Sequence, residues 1–124
     1  MSRFPGRRAR LYAASLLAAF LISACHSYHI DATVENRSGA PIQLLEVDYP
    51  SASFGVDSLA AGADLHYSFQ VRGSGQLKLS YTLANGQTVV ISGPTLVERQ
   101  QGRLEILLEP GGKAEFHPQL APPA

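Results

Sequence analysis

The sequence predicts an all-β protein, an antiparallel β-sandwich of about seven or eight short strands preceded by a separate apolar leader. Two observations point there. From Tyr28 onward apolar residues recur with a period of two, the pattern of strands with one buried face. Turn clusters rich in Gly, Pro and Asn break that alternation roughly every eight to twelve residues, and no segment offers ten residues of helical period. A small barrel would show similar spacing; the sandwich is preferred.

The first strand carries Tyr28, Ile30, Ala32 and Val34 on one face and His29, Asp31, Thr33 and Glu35 on the other. Asn36 to Pro41 is a turn cluster. The next strand, Ile42 to Tyr49, changes phase between Leu44 and Leu45: Ile42 and Leu44 share one face, and Leu45, Val47 and Tyr49 the next. A bulge or a switch between sheets would re-aim the side chains there. Pro50 ends the strand, and a short strand within 53–58 would turn Phe54 and Val56 inward.

After the turn Leu59-Ala60-Ala61-Gly62, the residues Leu65, Tyr67, Phe69 and Val71 alternate with polar ones. Leu77, Leu79, Tyr81 and Leu83 do the same beyond Gly73-Ser74-Gly75, so these two strands are expected to form an antiparallel hairpin. Asn85-Gly86 suits a type I′ turn, whose two central residues need positive φ, and Thr88 to Ser92 would pair back. Gly93-Pro94 breaks this strand, with a short continuation over Thr95 to Glu98. Leu104, Ile106 and Leu108 point inward from Arg103–Glu109, and Pro110-Gly111-Gly112 leads to a last edge strand at Lys113–His117. The expected organisation is a leader over 1–24, a tether over 25–29, the sandwich over 30–117 and a loose Pro-rich tail over 118–124.

The formal net charge of zero averages two unlike segments. Arg3, Arg7, Arg8 and Arg10 lie in the leader, leaving six basic residues against all ten acidic ones, or about −4, in the rest. Without a basic stripe the domain lacks the means to neutralise phosphates, which argues against nucleic-acid binding. A chain of 100 residues after the leader can bury a core without disulfides or metals. Cys25 is the single cysteine, so no internal disulfide can form.

The four leader arginines precede an uncharged run, Leu11 to Ala24. As a helix that run would measure ~21 Å, short of the ~30 Å hydrocarbon core, as in a secretory signal rather than a span. Ile22-Ser23-Ala24-Cys25 resembles the lipobox of bacterial lipoproteins, in which an aliphatic and two small residues precede the modified cysteine. The resemblance implies a diacylglycerol thioether on Cys25, recognition of Ile22, Ser23 and Ala24 by signal peptidase II, cleavage before Cys25 and anchoring by acyl chains. Two or more chains hold a protein stably where one does not. His26 stands where Asp is associated with inner-membrane retention in enteric bacteria, so the resemblance points to the outer membrane, facing the periplasm. The alternative is an ordinary secretory signal cut at Ser23-Ala24, leaving Cys25 a free thiol.

Two fragments, Val34 to Gly39 and Leu59 to Ala63, resemble strand-exit and turn segments of bacterial Ig-like domains. The domain as a whole is similar to small envelope lipoproteins of uncharacterised function, a resemblance that supplies no active site.

The residues offer little for catalysis, and no catalytic residue, metal or cofactor is assigned. Asp64, His66 and Ser68 share a strand face, but residues two apart stand ~6.5 Å apart along a strand, too far for a proton relay. Cys25, His26 and His29 do not close a metal shell, least of all with Cys25 as a thioether. Glu46 with Asp48, and Glu105 with Glu109, read as solvated faces. Gly73-x-Gly75 precedes no helix that could hold phosphate. Asn36-Arg37-Ser38 matches the N-glycosylation pattern but reads as a turn.

The expectation is a non-enzymatic, lipid-tethered interaction or structural module of the bacterial envelope, its membrane contact made by the lipid on Cys25. A partner protein would pair with an edge strand, either 113–117 or 53–58. The alternative is a small-ligand or carbohydrate binder using Tyr49 and Phe54 as stacking residues.

Overall fold

A computed structural model describes residues 28–122. Cys25 and its neighbours Ile22, Ser23 and Ala24 lie outside the described residues, as does the leader. Eight strands follow one another: β1 (Ile30–Asn36), β2 (Ile42–Tyr49), β3 (Ala52–Leu59), β4 (Asp64–Phe69), β5 (Gly75–Thr82), β6 (Thr88–Leu96), β7 (Gln101–Glu109) and β8 (Lys113–Ala121). They form two four-stranded sheets packed as a sandwich, sheet A in the order β4-β1-β7-β8 and sheet B in the order β3-β2-β5-β6. The order of β1 to β6 is Ig-like, with β1 and β4 in the places of strands B and E and β3-β2-β5-β6 in those of C′, C, F and G. β7 takes the remaining place beside β1 and runs parallel to it; every other pairing is antiparallel.

The period of two decides what is buried. Ile30, Val34, Val47, Leu77, Leu79, Leu96, Ile106 and Leu108 are fully enclosed between the sheets. Each such side chain contributes roughly 1.5–3 kcal/mol relative to exposure. Leu107 breaks the rule: it lies in the outward phase between Glu35 and Glu115, yet is only 6% exposed.

The phase change in β2 is a bulge. Gln43 pairs with Thr82 and Glu46 with Ser80, so Leu44 and Leu45 together oppose Tyr81. Leu44 takes φ +52° and stands 64% exposed, while Leu45 resumes the inward phase. Leu44 therefore does not share the buried face of Ile42. Across the other side of β2, a β-carbon at Gly55 would overlap the Leu45 carbonyl oxygen, so β3 can carry no side chain at that point.

Other expectations need correction as well. β4 and β5 are not a hairpin: β4 pairs with β1 in sheet A and β5 with β2 and β6 in sheet B. Alternation reveals which side chains face inward but not which strand is adjacent, and residues 70–74 are long enough to cross the ~10 Å between sheets. Buried Val71 plugs that crossing. The β5–β6 turn is also not type I′. Gly86 N–H donates to the Leu83 carbonyl at 2.9 Å, making Ala84 and Asn85 the central residues, and only Gly86 has positive φ. This is the longer hairpin form in which a type I turn precedes a left-handed glycine. Last, the described residues past His117 are not a loose tail. β8 continues to Ala121, pairing Pro118 with Leu104 and Leu120 with Gly102, a place open to proline because β8 is an edge.

Gly93-Pro94 does not interrupt β6. Lys78 pairs with Ser92 and Gln76 with Thr95, so the two residues oppose Leu77 as a second bulge. A β-carbon at Gly93 would press on the Phe116 ring and Leu77, so its absence lets β8 close over that side of the core.

Candidate functional site

The sandwich offers three kinds of surface: an aromatic seam where β3 meets β4, the outer face of sheet A, and four open strand edges.

The seam holds the residues expected to stack on a ligand. Tyr49 at the end of β2 stacks on Phe69 at 4.2 Å, and Phe54 of β3 stacks on Tyr67 of β4 at 4.5 Å. Phe54 also meets Phe69 at 5.8 Å. Phe54 is only 7% exposed and Tyr49 is half-buried, so their ring faces pack on other rings and form no open platform. Burial pushes the Tyr49 phenol above its ordinary pKa, with the nearby Tyr67 adding to it. The reading of Tyr49 and Phe54 as exposed stacking residues is therefore corrected: inward phase, on β2 beside the edge and on the edge strand β3, sets them against Phe69 and Tyr67 of β4 and makes them the closure of the core. Tyr67, 43% exposed, is the part of the seam that reaches solvent.

The outer face of sheet A is polar. Register aligns His66, Thr33, Glu105 and His117 in one row across the four strands, and Ser68, Asp31, Arg103 and Gln119 in the next. An open hollow of about 480 Å³ lies over Asp31, Thr33, Arg103, Glu105, His117 and Gln119. Three histidines here each sit beside a carboxylate two residues away: His29 and Asp31 at 3.8 Å, His66 and Asp64 at 4.0 Å, His117 and Glu115 at 3.3 Å. All are exposed, and such pairs contribute little to stability. His66 Nδ1 lies 3.1 Å from Thr33 Oγ1, so its closest polar neighbour is on β1, not Ser68. Asp64, His66 and Ser68 do share a face, without a relay among them. Glu46 and Asp48 likewise share the outer face of sheet B, and Glu105 is exposed while Glu109 is half-buried. Among the described residues no group of three or more His, Cys, Asp or Glu could hold a metal ion.

The four edges differ in chemistry. β4 carries Asp64 and His66, and β8 carries Lys113, Glu115, His117 and Pro118. β3 has one charged residue, Asp57, and β6 has none. Both segments expected to be edges, 53–58 and 113–117, are edges, within β3 and β8. The β6 edge went unrecognised because Thr88 to Ser92 reads as the inner arm of a hairpin when its neighbours are unknown. The signal that could have found it is the run Thr-Val-Val-Ile-Ser, which carries no charge on either phase.

With this geometry in view, the chain is similar in fold to a protein from Eubacterium rectale solved by NMR. The TM-score is 0.54 at 13% identity, over 75% of this chain and 90% of that one. That likeness concerns the fold alone. No protein-family model matches the chain, and no curated protein matches it.

The sequon Asn36-Arg37-Ser38 is a structural device. Asn36 is fully buried, and its amide lies enclosed by backbone carbonyls and Ser38. A glycan has no access to it.

Proposed function

We propose that the chain is a lipid-anchored lipoprotein of the bacterial envelope, and that its sandwich is a non-enzymatic module engaging partner proteins through open sheet edges. The anchoring half rests on the resemblance of Ile22-Ser23-Ala24-Cys25 to a lipobox and on the basic, then apolar, leader before it. Placement at the outer membrane, facing the periplasm, rests on His26 after the cysteine.

The observation that carries the interaction half is the contrast between the two sheets. Sheet A ends on strands guarded by charge and by Pro118, whereas sheet B ends on β3 and β6, with Asp57 their single charged residue and Pro94 confined to the bulge beyond Ser92. An uncharged edge displays unpaired N–H and C=O groups that template another strand, and soluble domains usually block such edges. Main-chain bonds then supply affinity and alternate side chains supply specificity.

Globomycin, which blocks signal peptidase II, should make the full-length precursor accumulate, and mass spectrometry should find acyl chains on Cys25. Unchanged processing or a free thiol refutes the anchoring half. A photoreactive residue at Ser58 or Val90 of the full-length chain in intact cells should give discrete protein adducts, whereas one at Glu115 should not. Recovery of polysaccharide alone would favour a carbohydrate binder instead.

A further inference from the structure

We infer that residues 88–92 of β6 pair with the same segment of a second copy of this chain, antiparallel about a twofold axis through Val90. The inference deepens the edge-pairing reading above and rests on it, naming the partner of one edge.

The segment reads Thr-Val-Val-Ile-Ser, with no charge, proline or glycine, and with β-branched residues at all but the last position. Its order of types is the same in both directions. A twofold axis at Val90 places Val90 against Val90 of the second copy, Val89 against Ile91 and Thr88 against Ser92. Every pair is favourable: branched residue on branched residue, hydroxyl on hydroxyl. No like charges meet, which is the usual obstacle to self-pairing at an edge.

Placement of the segment agrees with this. β6 has β5 on one side only, and among the described residues no turn or loop backbone group bonds to Thr88–Ser92. Val90 is 62% exposed on the outer face of sheet B, while Val89 and Ile91 are half-buried against the core at the same margin. Pairing would shield Val90 and extend the Val89–Ile91 margin into a shared core. The stretch is bounded on one side by the 83–87 turn and on the other by the Gly93-Pro94 bulge, so few alternative registers exist.

The other edges do not self-pair in this way. β4 and β8 carry charged residues, the usual guard of an edge, and β3 has Gly55 at its centre with no side chain to offer. Two sheets B joined at β6 would make one continuous eight-stranded sheet, leaving β3 free at both ends. Tethering two copies to one bilayer raises their effective concentration, so a short junction suffices.

The test uses the full-length lipoprotein. Val90→Cys, oxidised in native membranes, should give a covalent dimer, and Glu115→Cys on β8 should not. In detergent, light scattering should show wild type at twice the protein mass of Val90→Lys, with the circular dichroism of the two unchanged; Val90→Thr should stay dimeric. A monomeric wild type together with no Val90→Cys dimer overturns the inference. If that result accompanies adducts from Ser58 to another envelope protein, the edge-pairing reading survives and only the self-pairing falls. Adducts from neither edge would overturn both.

Discussion

Asn36 Nδ2 donates to the Leu59 carbonyl at 3.0 Å, tying the last residue of β1 in sheet A to the last residue of β3 in sheet B. The same amide nitrogen reaches the carbonyls of Ala40 at 2.8 Å and Ala60 at 3.2 Å, and Oδ1 accepts from Ser38 N–H and Oγ–H. The backbone closes the knot, since Asn36 N–H donates to Ala63 O and Gly62 N–H donates to Asn36 O. One buried side chain thus satisfies backbone groups of both the β1–β2 and the β3–β4 connections.

Asn36→Ala should lower stability by roughly 1–3 kcal/mol, because the buried Leu59 carbonyl is left without a donor and the part-buried bonds to Ala40 and Ala60 are lost. Urea denaturation measures this, and an unchanged midpoint would show that the knot is dispensable. Asn36→Asp adds a test of sign. An ionised carboxylate would face three carbonyls, raising its folded pKa above the unfolded value of about 3.9. Its stability should therefore be highest below that unfolded value and fall as pH rises through the raised one.

Tyr81 presents the opposite case. Its hydroxyl is buried with no hydrogen-bond partner among the described residues, and burial pushes the phenol above its ordinary pKa. It lies where Leu44 and Leu45 bulge, so the ladder around it is already irregular. Tyr81→Phe removes a desolvated group while keeping the ring, and should gain about 1 kcal/mol. For a domain of this size that is a rise in Tm of roughly 4–8 °C. A fall in Tm would reveal a partner for the hydroxyl, such as a buried water.

What the sequence could disclose depended on whether a feature is local. The inward phases of β1, β5 and β7 follow from alternation, and the β2 phase change from two adjacent leucines, so all were legible. Neighbourhood is not local: Leu65–Val71 and Leu77–Leu83 alternate equally well whether they pair side by side or pack across a sandwich. The extent of β8 was hidden because Pro118 reads as a strand breaker, although an edge tolerates it. Tyr49 and Phe54 were legible as inward residues, but their mutual closure with Phe69 and Tyr67 required knowing that β3 and β4 face each other. Leu107 gave no sign of its burial.

Leu44 is held at φ +52° with its side chain 64% exposed, so it bears left-handed strain with little burial in return. That conformation costs an ordinary residue roughly 1–2 kcal/mol. Leu44→Gly should stabilise the domain by about 0.5–1 kcal/mol, the relief being partly offset by the greater entropy of an unfolded glycine. Leu44→Val should destabilise it, since a β-branched residue is poorly suited to that region. Equal midpoints for the two variants would mean that the bulge relaxes out of the left-handed conformation.

Glu46 and Asp48 stand two apart on the outer face of sheet B, with Lys78 directly opposite Asp48. A side-chain hydrogen bond to Asp48 is the main cause raising the Glu46 pKa, followed by the repulsion between the two carboxylates and by burial. The folded protein thus holds that proton more tightly than the unfolded chain. The contribution favours folding below the unfolded pKa of about 4.3 and is lost as pH rises through the raised value. Glu46→Gln keeps a donor toward Asp48 at every pH, so it should raise Tm at neutral pH and leave it nearly unchanged in acid. Lys78→Gln tests whether the cation opposite Asp48 in the ladder offsets the pair; if it does, the decline between those conditions should steepen. Thermal melts from acid to neutral pH for the three proteins separate the effects. Parallel curves for wild type and Glu46→Gln would show that the two carboxylates do not interact in solution.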